Sequence, residues 1–227
     1  MCGRYSQTQS GETIATAFNL TESPDLEPRY NIAPTQQVSA VMATAESPVP
    51  QHRWLRWGLI PSWAKDKTIG NRLINARAET VAEKPSFRSA FKRRRCLIVA
   101  DGFYEWQRLD QGKAKQPYFI HLRDPHPFAF AGLWERWQDQ ASGEVIESCT
   151  ILTTAPNQLM AVIHNRMPVI LPPSAYESWL DPTLSTPESL TPLLYPFEAK
   201  AMASYPVSNH VNNPRHDDPA CLISIEG

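Results

Sequence analysis

Apolar and polar positions alternate in short runs along most of the chain, and prolines rather than long polar linkers separate the runs. Residues 96–100, 103–107, 118–122, 128–133 and 145–153 are rich in β-branched and aromatic side chains and are predicted to be strands. Residues 38–42 and 52–57 carry the same pattern on either side of a Pro-bearing loop, and 168–171 and 222–225 add two shorter strands. Helical spacing is confined to four short stretches. These are 11–20, with Ser10 placed as cap; 86–94, where Phe87 and Phe91 share one face; 156–163; and 174–180. Many short strands with few short helices predict an α+β fold, a curved, β-barrel-like sheet core with short flanking helices. The proline-rich stretch 182–196 leaves only about 30 residues after it, too few for an independent unit. Residues 1–227 are therefore read as a single domain.

Composition narrows the class further. Of 227 residues, 42% are apolar and 20% charged, which excludes a disordered tail or a coiled coil. The 21 prolines against 9 glycines fit the short elements, because a ring-locked residue without an N–H ends helices and central strands. No apolar run approaches the ~18 residues needed to cross a bilayer, so no membrane partner is expected. The opening Met1-Cys2-Gly3-Arg4-Tyr5-Ser6 lacks a basic segment followed by an apolar one, so a cytoplasmic protein is expected.

The net charge of −1 hides an asymmetry. Residues 52–95 hold 12 Lys/Arg against three acids, a local +9, and the remainder carries −10. Such a segment suits a polyanion, although a solvated helix face with scattered lysines gives the same count. Cys2, Cys96, Cys149 and Cys221 form no C-x-x-C pair, so neither a zinc site nor any other metal is expected, and a reducing compartment makes disulfides unexpected. Cys96, Cys149 and Cys221 read as small core residues of strands. Cys2 belongs to no apolar run and stands beside the chain end.

Four places in the sequence carry candidate chemistry. Cys2 follows the initiator; a small second residue permits Met1 removal, which leaves an α-amine and a thiol on adjacent carbons. Their reference pKa values are about 7.7–8.0 and about 8.5, so both are partly reactive near neutrality, and a nearby Arg4 would favour the thiolate. An unremarkable terminal cysteine is the plain alternative. In Leu73-Ile74-Asn75-Ala76-Arg77-Ala78-Glu79-Thr80, Asn75 and Arg77 lie two apart and point to one side of an extended segment. Asn75 can orient a substrate or a chain terminus, and Arg77 can clamp a phosphate; a polar turn is the alternative. In Asp101-Gly102-Phe103-Tyr104-Glu105-Trp106, a carboxyl group sits among aromatics after an apolar strand. Desolvation there favours the neutral acid and suits proton transfer, whereas a solvent-facing strand carboxylate needs no role. In His164-Asn165-Arg166-Met167-Pro168, an acid/base imidazole stands beside a phosphate-binding guanidinium between a helix and a strand.

Order and spacing of these four motifs together resemble the SOS response-associated peptidase (SRAP) family. Smaller echoes are Arg29-Tyr30-Asn31-Ile32-Ala33-Pro34, Trp57-Gly58-Leu59-Ile60-Pro61-Ser62-Trp63 and Val207-Ser208-Asn209 with Val211-Asn212-Asn213, so the likeness runs from residue 1 to about 213. The resemblance implies a compact mixed fold and covalent capture of abasic sites in single-stranded DNA through Cys2. It also implies that Asn75, Glu105 and His164 complete the active site and that Arg4, Arg77 and Arg166 contact DNA. No cofactor follows from it, and the protein would be nucleoid-associated when on DNA. Trp63 would stack a base; relatives can carry a second aromatic next to it, where this chain has Ala64.

The two lines of reasoning meet at the substrate, because an opened abasic sugar presents the aldehyde that an aminothiol condenses with. Glu105 and His164 would move protons, Asn75 would hold the terminus, and sulfur closure would protect the strand from the β-elimination that a bare imine invites. Two other functions use the same residues. An N-terminal-nucleophile amidohydrolase or peptidase would use the Cys2 amine as base and Asn75 in an oxyanion hole, and Met1 removal would then be autocatalytic. A non-catalytic single-strand-binding module would not need Cys2 at all.

Overall fold

Residues 2–44, 46–109 and 114–225 are described by the computed structural model. In chain order the strands are β1 (Arg4–Gln7), β2 (Arg29–Ile32), β3 (Gln37–Met42), β4 (Gln51–Trp57), β5 (Asn75–Arg77), β6 (Arg95–Ala100), β7 (Gly102–Arg108), β8 (Lys115–Leu122), β9 (Phe128–Gln138), β10 (Val145–Thr154), β11 (Met167–Pro168), β12 (Ile170–Leu171) and β13 (Met202–Pro206). The α-helices are short: α1 (Gly11–Ala17), α2 (Arg88–Arg93), α3 (Gln158–Ala161), α4 (Tyr176–Leu180) and α5 (Pro187–Leu190).

Strand pairing closes a ring. β10 pairs parallel with β4, and β4–β3, β3–β6, β6–β9 and β9–β10 are antiparallel, so five strands form a barrel without a free edge between them. β5, β11 and β12 extend this sheet. A second sheet runs β13-β8-β7-β1-β2.

The period of two along each strand divides the interior into layers. On β6, Cys96, Ile98 and Ala100 join a core with Cys2, Tyr5, Trp57 and Phe130, while Leu97 and Val99 face a second core with Phe91 and Trp179 from α2 and α4. Both faces are covered, which is why this run is apolar without alternation. The first core also takes Phe103, Ile120, Leu122 and Met202 from the second sheet, so both sheets pack on common ground. No helix among the described residues is long and apolar enough to cross a membrane.

Three sequence expectations change. Residues 222–225 form no strand; a single bridge joins Val207 to Ser224, and Ile223 and Ile225 are exposed, so no buried face exists to hold one. Within the basic segment 52–95, the run Arg93-Arg94-Arg95 is not a solvated helix face. Only Arg93 is exposed; Arg94 donates to Glu135 at 2.7 Å. Arg95 is 3% exposed and donates to the carbonyls of Phe91 (3.0 Å), Lys92 (2.8 Å), Trp179 (2.7 Å) and Asp181 (2.5 Å). It thereby satisfies the orphan carbonyls at the ends of α2 and α4, and burial lowers its pKa to about 10. Cys221 lies in a turn rather than a strand, although it is buried as expected.

Candidate active site

Cys2 lies two residues ahead of the start of β1, and its carbonyl accepts a hydrogen bond from Asn75 Nδ2 at 2.8 Å. β5 makes this contact possible. It lies parallel on β10, with Asn75 opposite Ile151 and Arg77 opposite Thr153, and buries only Ala76 in the outer core. Asn75 and Arg77 therefore share the other side, as their spacing predicts. Asn75 Oδ1 is buried and has no hydrogen-bond partner among the described residues.

The thiol is in a different state from the one read in sequence. Cys2 is fully buried, and burial, followed by the nearby charge of Glu105, pushes its pKa far above the ordinary thiol value. The Arg4 guanidinium is not turned toward the thiol. It turns to Asn31 Oδ1 (3.0 Å) and to the carbonyls of Val211 (2.8 Å) and Asn212 (3.4 Å), while only the main-chain carbonyl of Arg4 meets Cys2 Sγ, at 3.8 Å.

Glu105 reaches the same place from β7. Alternation puts Phe103 and Glu105 on the face toward Cys2, and Tyr104 and Trp106 on the other. The aromatics next to Glu105 in sequence thus have structural partners elsewhere: Tyr104 O–H donates to Tyr30 O, and Trp106 Nε1 to Asn212 Oδ1. Glu105 itself is 2% exposed. The start of its motif is also structural. Asp101 accepts from Ser6 Oγ at 2.5 Å and from Thr8 N and Oγ1 at 2.5 and 2.6 Å, fixing β1 beside β7. At Gly102 a Cβ would lie 2.0 Å from the Phe119 ring, so only glycine fits that close approach.

His164 follows α3, half-buried, with Nδ1 against its own turn at 3.1 Å from Arg166 N and 3.2 Å from Arg166 O. The 162–166 segment is tied to β7 by Gln107 Nε2, which donates to Val162 O at 2.8 Å. Arg166 makes a two-pronged contact with Glu79 (2.6 and 3.0 Å) and donates to Thr153 O at 2.5 Å. This contact holds the Glu79 carboxyl below the usual range. Arg77 is exposed, and Trp63 is 59% exposed on the excursion between β4 and β5, whose ends are joined where Leu59 N–H donates to Leu73 O. Ala64 is buried with Ile60 and Trp137, and its carbonyl accepts from Trp137 Nε1 at 2.7 Å. Of the wider basic segment, Arg56 is taken by Gly58 O and Asn71, and Arg72 is exposed.

The fold thus gathers Cys2, Asn75 and Glu105, and brings His164 and Arg166 onto the adjoining turn. Trp63 lies on another element, and Arg4, at the start of β1, sends its guanidinium to Asn31 and the 211–212 carbonyls. Glu79 and Thr153, which aim Arg166, and Asn31, which receives Arg4, have no role legible from residue type. Glu79 and Arg166 are 87 residues apart, a separation that no local pattern reports. Chemically, the site sets a potential nucleophile beside a buried carboxyl group, with an amide holding the peptide that carries it.

Similarity to known proteins agrees with this arrangement. The SOS response associated peptidase (SRAP) profile matches residues 1–214. Over 227 residues the chain is 44% identical to the abasic site processing protein YoqW of Bacillus subtilis, spanning 99% of this chain and 100% of that one. It is 35% identical over 195 residues to the abasic site processing protein HMCES of Gallus gallus, spanning 76% and 57% of the two chains. A crystal structure of a Bacteroides thetaiotaomicron protein matches with a TM-score of 0.85 at 30% identity, covering 98% of this chain and 99% of that one. The chain belongs to the SOS response associated peptidase (SRAP) family.

Proposed function

We propose that this protein, once Met1 is removed, captures abasic sites in single-stranded DNA as a thiazolidine at Cys2. The observation that carries the proposal is the grip of Asn75 on the Cys2 carbonyl with Glu105 buried beside the thiol. The names of its relatives, abasic site processing proteins, point to the same substrate.

While Met1 is attached, the Cys2 nitrogen is an amide and cannot attack a carbonyl. Its removal creates an amine, and Asn75 Oδ1 stands ready to accept a hydrogen bond from it. In the proposed sequence Glu105 takes the proton that makes this amine nucleophilic, and His164 serves opening of the sugar to its aldehyde. Amine and aldehyde give an imine and one water. The sulfur then adds to the imine carbon, its proton passes to nitrogen, and the ring closes without any oxidant. Capture also includes an opening of the closed surroundings of Cys2. Autocatalytic loss of Met1 and strand cleavage from unclosed imine are parts of the same proposal.

DNA would run over Arg77, Arg72 and the exposed ring of Trp63. Arg166 would take a phosphate by exchanging Glu79 for it, and Arg4 would do so by exchanging Asn31 and the 211–212 carbonyls. Trp63→Ala is expected to weaken single-strand affinity by roughly 1–3 kcal/mol without sequence preference. Arg77→Ala is expected to flatten the log–log salt dependence by about 0.7. Fluorescence anisotropy titrations over a range of salt check both.

Intact mass spectrometry tests the function. The purified chain should lack Met1 and gain the mass of an abasic oligonucleotide less one water. Retention of Met1 with no adduct, or turnover of amide substrates at Cys2 in place of an adduct, would overturn the proposal in favour of an inert or a hydrolytic terminus.

A further inference from the structure

On the far face of the second sheet, away from Cys2, three different metal-ligating side chains converge. His210, Asp218 and Cys221 each present a ligand atom, and these atoms lie within 4.8 Å of one another. His210 Nε2 is 3.0 Å from Asp218 Oδ2. His210 lies in the turn Asn209–Asn212, Asp218 caps the turn Pro219–Leu222 that holds Cys221, and their spacing of seven and two intervening residues matches no cysteine-pair pattern.

The cluster is held in place by its neighbours. The His216 ring stacks on His210 with centroids 3.9 Å apart, and His216 Nδ1 is 2.9 Å from His210 O. Asp218 Oδ1 accepts from Ala220 N–H at 2.9 Å, which leaves Oδ2 to the cluster. Cys221 is 1% exposed, whereas the side chains of His210 and Asp218 are 33% and 47% exposed. A sulfur at the dry end beneath a nitrogen and an oxygen open to water gives an ion both an entry and an anchor. Adjacent contacts tie the same loop to the body: Asp217 accepts from Tyr30 and Asn31 N–H, and Val211 and Asn212 accept from Arg4.

We propose that His210, Asp218 and Cys221 bind a zinc-class divalent cation, with water in a fourth position. The donor set of one imidazole, one carboxylate and one thiolate suits zinc and its neighbours, not magnesium or calcium. Ligand atoms of a tetrahedral zinc site lie about 3.3–3.8 Å apart, within reach of small side-chain rotations here. Binding releases the Cys221 thiol proton, breaking the Sγ bond to His216 O at 3.4 Å, and replaces the hydrogen bond between His210 and Asp218, leaving the +2 ion balanced by two anionic ligands. The ion would staple the turn segments that receive Arg4.

Cobalt(II) titration of chelator-stripped protein tests this, read as a thiolate-to-cobalt charge-transfer band and checked by zinc competition against a chromophoric chelator. About one ion per chain is expected, with the band kept in Cys2→Ala and lost in Cys221→Ser. Asp218→Asn, which keeps the cap on Ala220 and so the fold, is expected to weaken binding about tenfold or more. Three results would overturn the proposal: no band in the unmodified protein, a band that survives Cys221→Ser, or a band that vanishes in Cys2→Ala. The last would place the ion on the terminal aminothiol instead.

Discussion

Cys2→Ser is expected to abolish the heat-stable adduct with abasic single-stranded DNA. In a serine variant whose loss of Met1 is verified by intact mass, the α-amine remains and the imine still forms. What is lost is the sulfur that closes on it. That closure is intramolecular, and well-oriented intramolecular attack has effective molarities of about 10⁵ M or more, so it outruns hydrolysis and elimination. A hydroxyl is a far weaker nucleophile at neutral pH, and the imine is left to revert or to cleave the strand. Adduct yield after heating should fall by at least about 100-fold while some strand cleavage persists. A denaturing gel of a labelled oligonucleotide reads both. Equal yield of heat-stable adduct from the serine variant would eliminate the thiazolidine.

Glu105→Gln is the second large effect, about a 100-fold slower capture, the usual scale for a lost proton-transfer group. The change is nearly isosteric, so the 2%-exposed position keeps its packing. An amide, however, cannot take the proton that makes the terminal amine nucleophilic. Single-turnover capture with protein in excess measures the rate directly, and a thermal melt of the variant checks the fold. An unchanged rate would remove Glu105 from the reaction. His164→Ala separates a further step: if the imidazole also serves reversal of the link, the adduct formed by that variant should turn over more slowly.

Much of this was legible from local pattern. The apolar run at 96–100 and the alternation at 145–153 announce β6 and β10 because each face of those strands meets a defined core. Ser10 caps α1 by accepting from Thr13 N–H, as its position predicts. β1 was invisible for a physical reason. Its Tyr5, Ser6 and Gln7 are all buried, and Ser6 is accommodated by Asp101 from another strand. β5 has three residues on a parallel neighbour, too few to show a period, and β13 ends in proline at a sheet edge. For the site, residue types and spacing marked Cys2, Asn75, Glu105 and His164 as candidates. The engagement of Arg4 with the 211–212 carbonyls and of Arg166 with Glu79 depends on tertiary approach, as does the burial of the thiol.

The bond from Asn75 to the Cys2 carbonyl has a practical corollary for handling the protein. The first peptide of the working chain is gripped by an internal strand, and the nitrogen ahead of it is the proposed reagent. An affinity tag fused upstream would acylate that nitrogen and leave a correctly folded, inert protein. An addition on the carboxyl side is expected to be tolerated, since Ile223 and Ile225 stand in solvent. Purification and immobilisation should therefore use the carboxyl side, and material carrying an uncleaved leader serves as a matched blank.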